Sequence, residues 1–490
     1  MTHSPPFGRA PVAAWPWLLA GLLALPLLAL FLRGFPALPG TAKDLDVVLT
    51  SLLLATAGSL ITLALALGLA VLGVLGGVGR TLEALLLLGY LVPPFVTGIG
   101  VLFSLQAFGV RIYGVPGILL AWALHYAPLA YLLLKPQVRV AMGLLAAARV
   151  HGVGGAKALR VFLPPLLPPL LVAGGTLYLA LLGNFGVPAV LGLPERVYVL
   201  PTLAYARLLS PTAQDPLGEA AALGLWLGLL ALPVVLLGRA GLLEAKESLL
   251  PPARPAYRLL FALYALLALL LVLLGLLREA LLNPYTGAWD PVFAQALDLP
   301  LVQKGLRNSL LLALGATLLL LLLALALRPF PGLLRRVRGV LDLHYLLPGT
   351  LLGVGLILLL APTPLYATPW LLLLAYLLNF AALALRALEG GLGVEGAVLA
   401  GRVHGLGRLR AWLRIGYPLL LPSAFAGAFL IFPLAFAEIT LSALLYAPGA
   451  ETIGVAVLSA LNGGLYREAS ALGLVLMAFS ALALLGRPRW

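Results

Sequence analysis

The sequence predicts an all-α polytopic membrane protein of about twelve spans, arranged as two parallel six-span repeats. Three observations predict it. The 490 residues are 62% hydrophobic and only 10% charged, with a mean hydropathy of +1.09; a soluble protein carries roughly a quarter charged residues. Apolar segments long enough to cross a bilayer recur along the whole chain. The second half repeats short stretches of the first at a nearly constant separation. A bilayer is the solvent that suits such a surface.

A helix rises 1.5 Å per residue, so roughly 20 apolar residues cover about 30 Å of hydrocarbon. The first segment, 15–35, is longer than a signal-peptide core and no small-x-small cleavage site follows, so it is expected to be retained. Segments 48–76 and 82–106 are divided by Gly76-Gly77-Val78-Gly79-Arg80. Segment 115–135 runs into a basic stretch ending at Arg160, and 163–192 follows it. The sixth, 217–239, carries Glu219 at its start, where a carboxylate complements the helix dipole. A polar join at 243–256, with Glu244, Lys246, Glu247, Pro251 and Pro252, divides a first half, 1–242, from a second, 257–490. The second half supplies segments 258–278, 305–328, 340–361, 367–388, 417–446 and 466–487, the last opening with Glu468.

The basic residues set an orientation. With the N-terminus inside, 22 of the 31 Lys and Arg residues lie on the cytoplasmic side; the outer side holds Arg33, Lys43, Arg111, Arg196, Arg207, Arg278, Lys304, Arg307 and Arg467. That asymmetry places both termini in the cytoplasm. The formal charge of +14 is therefore a matter of loops, and too little solvated surface remains for a nucleic-acid face. The absence of cysteine excludes disulfides, thiolate metal sites and cysteine nucleophiles.

The repeat is visible in several places. Arg149-Val150-His151-Gly152 recurs as Arg402-Val403-His404-Gly405. Ser51-Leu-Leu-Leu-Ala55 recurs from Ser309, Gly98-Ile-Gly100 after Pro93 as Gly353-Val-Gly355 after Pro348, and Leu120-Ala-Trp122 as Leu374-Ala-Tyr376. Glu219-Ala-Ala-Ala-Leu-Gly-Leu225 recurs from Glu468. Six spans per half keep the two halves in the same orientation, so their pseudo-two-fold axis runs along the membrane normal.

Ala146-Ala147-Ala148, three residues, Gly152 and then Val161-Phe162-Leu163-Pro164 resembles the EAA loop of ABC importer permeases: Glu-Ala-Ala, three residues, Gly, nine residues, Ile-x-Leu-Pro. The second copy has Leu399-Ala400-Gly401, Gly405 and Ile415-Gly416-Tyr417-Pro418 at the family's spacing; the first is one residue short. Neither copy has the family's glutamate, and Tyr417 stands where leucine is usual. The resemblance covers essentially the whole chain. It implies a type I ABC importer permease fold in a bacterial inner membrane, with coupling loops at about 146–164 and 399–418. It also implies a cytoplasmic ABC ATPase dimer and an extracytoplasmic substrate-binding protein as partners. The residues it assigns to ATPase coupling are Ala147, Ala148, Arg149, His151, Gly152, Gly154 and Pro164 in the first copy. In the second they are Ala400, Gly401, Arg402, His404, Gly405 and Pro418.

No Gly-x-x-x-x-Gly-Lys-Ser/Thr phosphate loop and no hydrolytic triad occur in the sequence, so the chain is expected to be a transport subunit that binds no cofactor and leaves ATP hydrolysis to its partner. His151 and His404 lack a second His or carboxylate at i+3 or i+4, which favours a structural or docking role over a metal site. His125, inside an apolar segment, is either a pathway residue or a core histidine; His344 is expected at the membrane interface. Asn184 and its repeat equivalent Glu438 are polar residues at membrane depth. Asn184 and Glu438 are expected to line the translocation path or the contact between the halves; a buried, hydrogen-bonded structural pair near the outer ends of these spans is the alternative. The stretches Asn184–Tyr205 and Glu438–Leu461 resemble those of ferric-iron permeases, with thiamine, phosphonate and polyamine permeases as close relatives. An ion-coupled secondary transporter is the competing class; it would need more intramembrane charge than Glu438 supplies and would not explain the repeated loop.

Overall fold

The computed structural model describes residues 15–155, 157–237, 252–389 and 393–485. Among the described residues the chain is helical and holds no strand, beyond one isolated bridge between Leu282 and Trp289. The first half contains α1 (Trp15–Gly34), α2 (Ala42–Leu75), α3 (Arg80–Leu91), α4 (Pro94–Gln106), α5 (Gly114–Val150), α6 (Lys157–Phe162), α7 (Leu167–Leu182), α8 (Leu200–Leu208) and α9 (Pro216–Leu237). The second contains α10 (Pro255–Leu281), α11 (Phe293–Asp298), α12 (Pro300–Leu327), α13 (Pro331–Leu346), α14 (Gly349–Leu360), α15 (Pro369–Glu389), α16 (Val394–Val403), α17 (Arg408–Ala411), α18 (Tyr417–Phe436), α19 (Thr440–Leu444), α20 (Ile453–Asn462) and α21 (Tyr466–Leu485).

Nine stretches among the described residues are long and apolar enough to cross a membrane, or up to 11 if each of two bent helix pairs is one span. The protein is therefore a multi-pass membrane protein. The last expected segment, 466–487, begins as α21 and runs past the described residues. The basic residues Arg9, Arg239, Lys246, Arg487 and Arg489, both termini and positions 243–251 of the join also lie outside the described residues.

Two expected spans are not straight. Segment 82–106 is α3 and α4 bent by 96°, and segment 340–361 is α13 and α14 bent by 111°. The cause is the same in both. Val92 and Leu347 precede prolines and take extended conformations, ψ 133 and 145, as steric contact with the proline ring demands. The helix stops before Pro93 or Pro348 and restarts after it. The fifth segment, expected to reach 192, stops as α7 at Leu182 and resumes as a π turn, Pro188–Gly192.

The halves embrace each other through their first helices. α1 packs on α13, α14 and α9; α10 packs on α3, α4 and α21. Glycines make these crossings possible, because without a Cβ two backbones can approach closely. A Cβ on Gly100 would meet the Val272 carbonyl oxygen at 2.5 Å, and one on Gly355 would collide with the carbonyl of Pro26. α4 is buried from Phe95 to Ser104 and α14 from Thr350 to Ile357. These helices are apolar all round because they are enclosed all round.

Candidate functional site

The two Arg-Val-His-Gly stretches adopt one backbone geometry. In the first, His151 ends α5 and Gly152 turns to φ 78. The N–H of Gly152 donates to the Arg149 carbonyl at 3.0 Å and that of Val153 to the Ala148 carbonyl at 3.1 Å. In the second, His404 ends α16 and Gly405 turns to φ 89. Gly405 N–H donates to Arg402 at 3.1 Å and Leu406 N–H to Gly401 at 3.1 Å. Each is a Schellman turn, which satisfies the last carbonyls of a helix and needs a residue in the left-handed region. Nothing lies within 4 Å of a Cβ built on either glycine, so the backbone angle alone selects glycine there.

The side chains around both turns face away from the bundle. Val150 is 84% and Val403 78% exposed. Ala147, Arg149, His151, Gly152, Gly154 and Pro164 are exposed and Ala148 is half-buried; Ala400, Arg402, His404, Gly405 and Pro418 are exposed. Gly401 departs from this set. It is buried, and a Cβ there would strike the Ile415 side chain, so it packs the turn against the chain beyond it.

The turns differ in what carries them. The first extends α5 without a break, a helix of 37 residues. The second sits on a separate short helix, α16, which starts after Gly393 at φ 82. Val394, Val398, Ala411, Trp412 and Leu420 form a small core of their own beneath it, in contact with Leu325 of α12.

Asn184 and Glu438 both sit where the fifth segment of their half breaks, and both cap the turn on the far side of the break. Asn184 Oδ1 accepts the Val187 N–H at 3.0 Å and the Trp122 indole N–H at 3.2 Å, while its amide donates to the Tyr126 hydroxyl at 2.9 Å. Glu438 accepts the N–H of Leu441 at 2.8 Å and that of Ser442 at 2.9 Å. The Ser442 hydroxyl in turn meets Tyr376 at 2.8 Å. Tyr376 is the repeat equivalent of Trp122, so each half ties its break to the same position of its long central helix.

His125 is 3% exposed, with its ring edge-on to Tyr126 at 4.5 Å and Nδ1 3.4 Å from Thr97 Oγ1, a packed core histidine. His344 is buried in the bundle. It is 1% exposed and its Nε2 lies 2.8 Å from the Leu23 carbonyl, because α1 of the other half covers it. Glu219 pairs with Arg207 at 3.1 Å, and Asp215 caps α9 instead, accepting the Gly218 N–H at 3.1 Å. Asp44 joins Arg207 from α2 at 2.9 Å. No group of three or more metal-ligating side chains occurs among the described residues.

Sequence reasoning missed two features. The Schellman geometry of the two repeated turns was open to discovery, since helix, Gly and spacing mark that motif. The roles of Ser51 and Ser309 were not, because each hydroxyl caps a helix far away in the chain. Comparison with protein-family models returns no match, and comparison with curated proteins returns none.

Proposed function

We propose that the chain is the fused, two-half permease subunit of a binding-protein-dependent ABC importer, with twelve spans in two parallel six-helix repeats and a type I importer permease fold. The observation that carries this reading is the pair of exposed Schellman turns. They share sequence and backbone geometry, they stand at equivalent places in the two halves, and they project bulky side chains, Val150 and Val403 among them, that are largely exposed. Two equivalent handles suit a symmetric two-subunit partner. The reciprocal embrace of α1 and α10 lets motion at either handle move both halves.

On this reading the turns face the cytoplasm of a bacterial inner membrane and insert into an ATPase dimer. ATP-driven closure of that dimer pulls the handles together. The halves rock about their shared axis, and cargo delivered by an external binding protein passes between them. Asn184 and Glu438 act by positioning: their oxygens and amide are taken up by backbone and side-chain partners within their own halves. The resemblance of Asn184–Tyr205 and Glu438–Leu461 to ferric-iron permeases names ferric iron as cargo, with thiamine, phosphonate and polyamine as the alternatives.

The test is affinity capture of the tagged chain from native membranes in mild detergent, followed by identification of the proteins that come with it. An ATP-binding-cassette subunit is expected, and the ligand of a co-captured binding protein names the cargo. Vesicles in which the chain alone drives uptake from an ion gradient, with no ATPase attached, would establish the secondary-transporter class instead.

A further inference from the structure

α8 and α20 occupy equivalent places in the two halves: the Ser51 hydroxyl accepts the N–H of the first residue of one, and the Ser309 hydroxyl that of the other. Their sixth residues, Tyr205 and Leu458, line one cavity of about 170 Å³. A cavity that small, touched by equivalent residues of both halves, lies where the halves meet. Leu301, at the start of α12, forms another part of its wall. α12 reaches from there to Leu325, beside the small core beneath the second Schellman turn. At 1.5 Å per residue that run covers about 36 Å, so the cavity and the turn lie at opposite ends of the span.

The cavity is built on the two helix breaks. The Tyr205 ring packs edge-on at 5.3 Å against Phe185, the residue after Asn184. Ala443 lines the cavity from α19, the helix that Glu438 caps. The breaks also touch each other: a Cβ on Gly186 would lie 3.0 Å from that of Phe95 and 3.4 Å from Cγ2 of Ile439. Interrupted helices at the junction of two repeats form the solute sites of many transporters.

The wall is polar in part and uncharged. It includes Tyr205, Tyr446, Ser459 and Asn462, three hydroxyl-bearing side chains and an amide, and no charged side chain among the described residues. Among the described residues none of these four side chains has a hydrogen-bond partner in the protein. Arg207, two residues beyond Tyr205, is taken up by Asp44 at 2.9 Å and Glu219 at 3.1 Å. Tyr446, Ser459 and Asn462 are exposed, so the cavity opens at this end of the span.

We propose that this cavity receives the cargo as a small cation, held by the oxygens of Tyr205, Tyr446, Ser459 and Asn462 and by the faces of the two tyrosine rings; that it opens to the outer side rests on the importer reading. Neutral oxygen ligands suit a hard metal ion, and aromatic faces suit an ammonium group. An anion would meet the negative ring faces with no basic side chain to hold it. The cavity has room for about six waters, so the cation enters with little of its hydration shell or carrier.

The chain has no cysteine, so a single introduced thiol reports on the cavity. Val455→Cys places one in the wall without removing a polar group, and Leu301→Cys is the second reporter if that variant fails to fold. A membrane-impermeant maleimide is expected to label Val455→Cys in spheroplasts, and Val403→Cys, at the second turn, only in inverted vesicles. Exchange of the two sides would overturn the orientation of the importer reading. Labelling of neither cavity reporter from either side would overturn the cavity. On the purified full chain, terbium(III) and putrescine serve as metal and ammonium probes, and sodium phosphate as the anion. At least one of the two cations should protect the reporter thiol saturably, and phosphate should not. Tyr205→Phe/Tyr446→Phe should abolish protection by terbium, which needs the oxygens, and spare protection by putrescine. Tyr205→Leu/Tyr446→Leu should abolish both. Protection by neither cation, equal protection by phosphate, or undiminished protection in the leucine double variant would overturn the proposal. The protection assay needs neither ATPase nor binding protein, so its result stands apart from that of the capture experiment.

Discussion

The Ser309 hydroxyl accepts the N–H of Ile453 at 2.9 Å, joining α12 to the first residue of α20. The first half does the same: Ser51 accepts the N–H of Leu200, the first residue of α8, at 2.8 Å. A helix start has N–H groups without intrahelical partners. Both starts are buried, so a side chain from another element must satisfy them. The same solution at equivalent positions in both halves makes this bond part of the repeat itself.

Ser51→Ala and Ser309→Ala should therefore each destabilise the protein by about 1–3 kcal/mol, the cost of a buried donor left unmade. Thermal unfolding in detergent checks this, with Ser210→Ala as a control at an exposed hydroxyl. Equal melting temperatures for all three variants would show that water replaces the serine at no cost.

The glycine crossings predict opposite signs for one chemical change. Gly100→Ala puts a methyl group 2.5 Å from the Val272 carbonyl oxygen, where backbone must shift. It should lower the yield of monodisperse protein sharply. Gly68→Ala, inside α2 with nothing within 4 Å of the new methyl, should stabilise by about 0.5–1 kcal/mol, since alanine loses less conformational freedom in a helix. Size-exclusion profiles and melting temperatures of the pair decide it.

The apolar runs, the polar breaks and the repeat were legible in the sequence, because composition and period carry them. Pro93 and Pro348 were visible too, but not the size of the bends, which depends on what encloses α4 and α14. The burial of His344 was not legible because its cover, α1, comes from the opposite half of the chain, and no local pattern reports such a partner. The turn glycines were legible as helix stops. Their neighbours' exposure was not, since an exposed valine and a buried one are written alike.

Glu438 separates a path residue from a positioning one. Glu438→Ala removes the acceptor for two N–H groups, those of Leu441 and Ser442. It should cost about 1–3 kcal/mol for each one left buried and unpaired. Glu438→Gln keeps one carbonyl oxygen and should fall between Ala and the wild type. If the residue positions α19, stability and transport decline together across Gln and Ala. Loss of uptake in Glu438→Gln at unchanged melting temperature would instead make the carboxylate charge itself a requirement of the path.

The two Schellman turns allow the proposed coupling to be probed without disturbing the fold. Gly152 and Gly405 have left-handed φ and open space around them, so substitution strains the turn and little else. A β-branched residue there costs about 1–2 kcal/mol locally, while asparagine tolerates the angle better. Gly405→Asn should therefore keep most transport, and Gly405→Val should lose transport while its melting temperature changes little. The first turn extends the unbroken α5, whereas the second rides on α16 behind Gly393. A strained end on a long continuous helix has less freedom to re-seat in a partner, so Gly152→Val should be the more severe variant. Partner-stimulated ATPase and uptake, measured on the same reconstituted preparations, check this. Equal uptake in wild type, Gly152→Val and Gly405→Val would remove the turns from the coupling machinery.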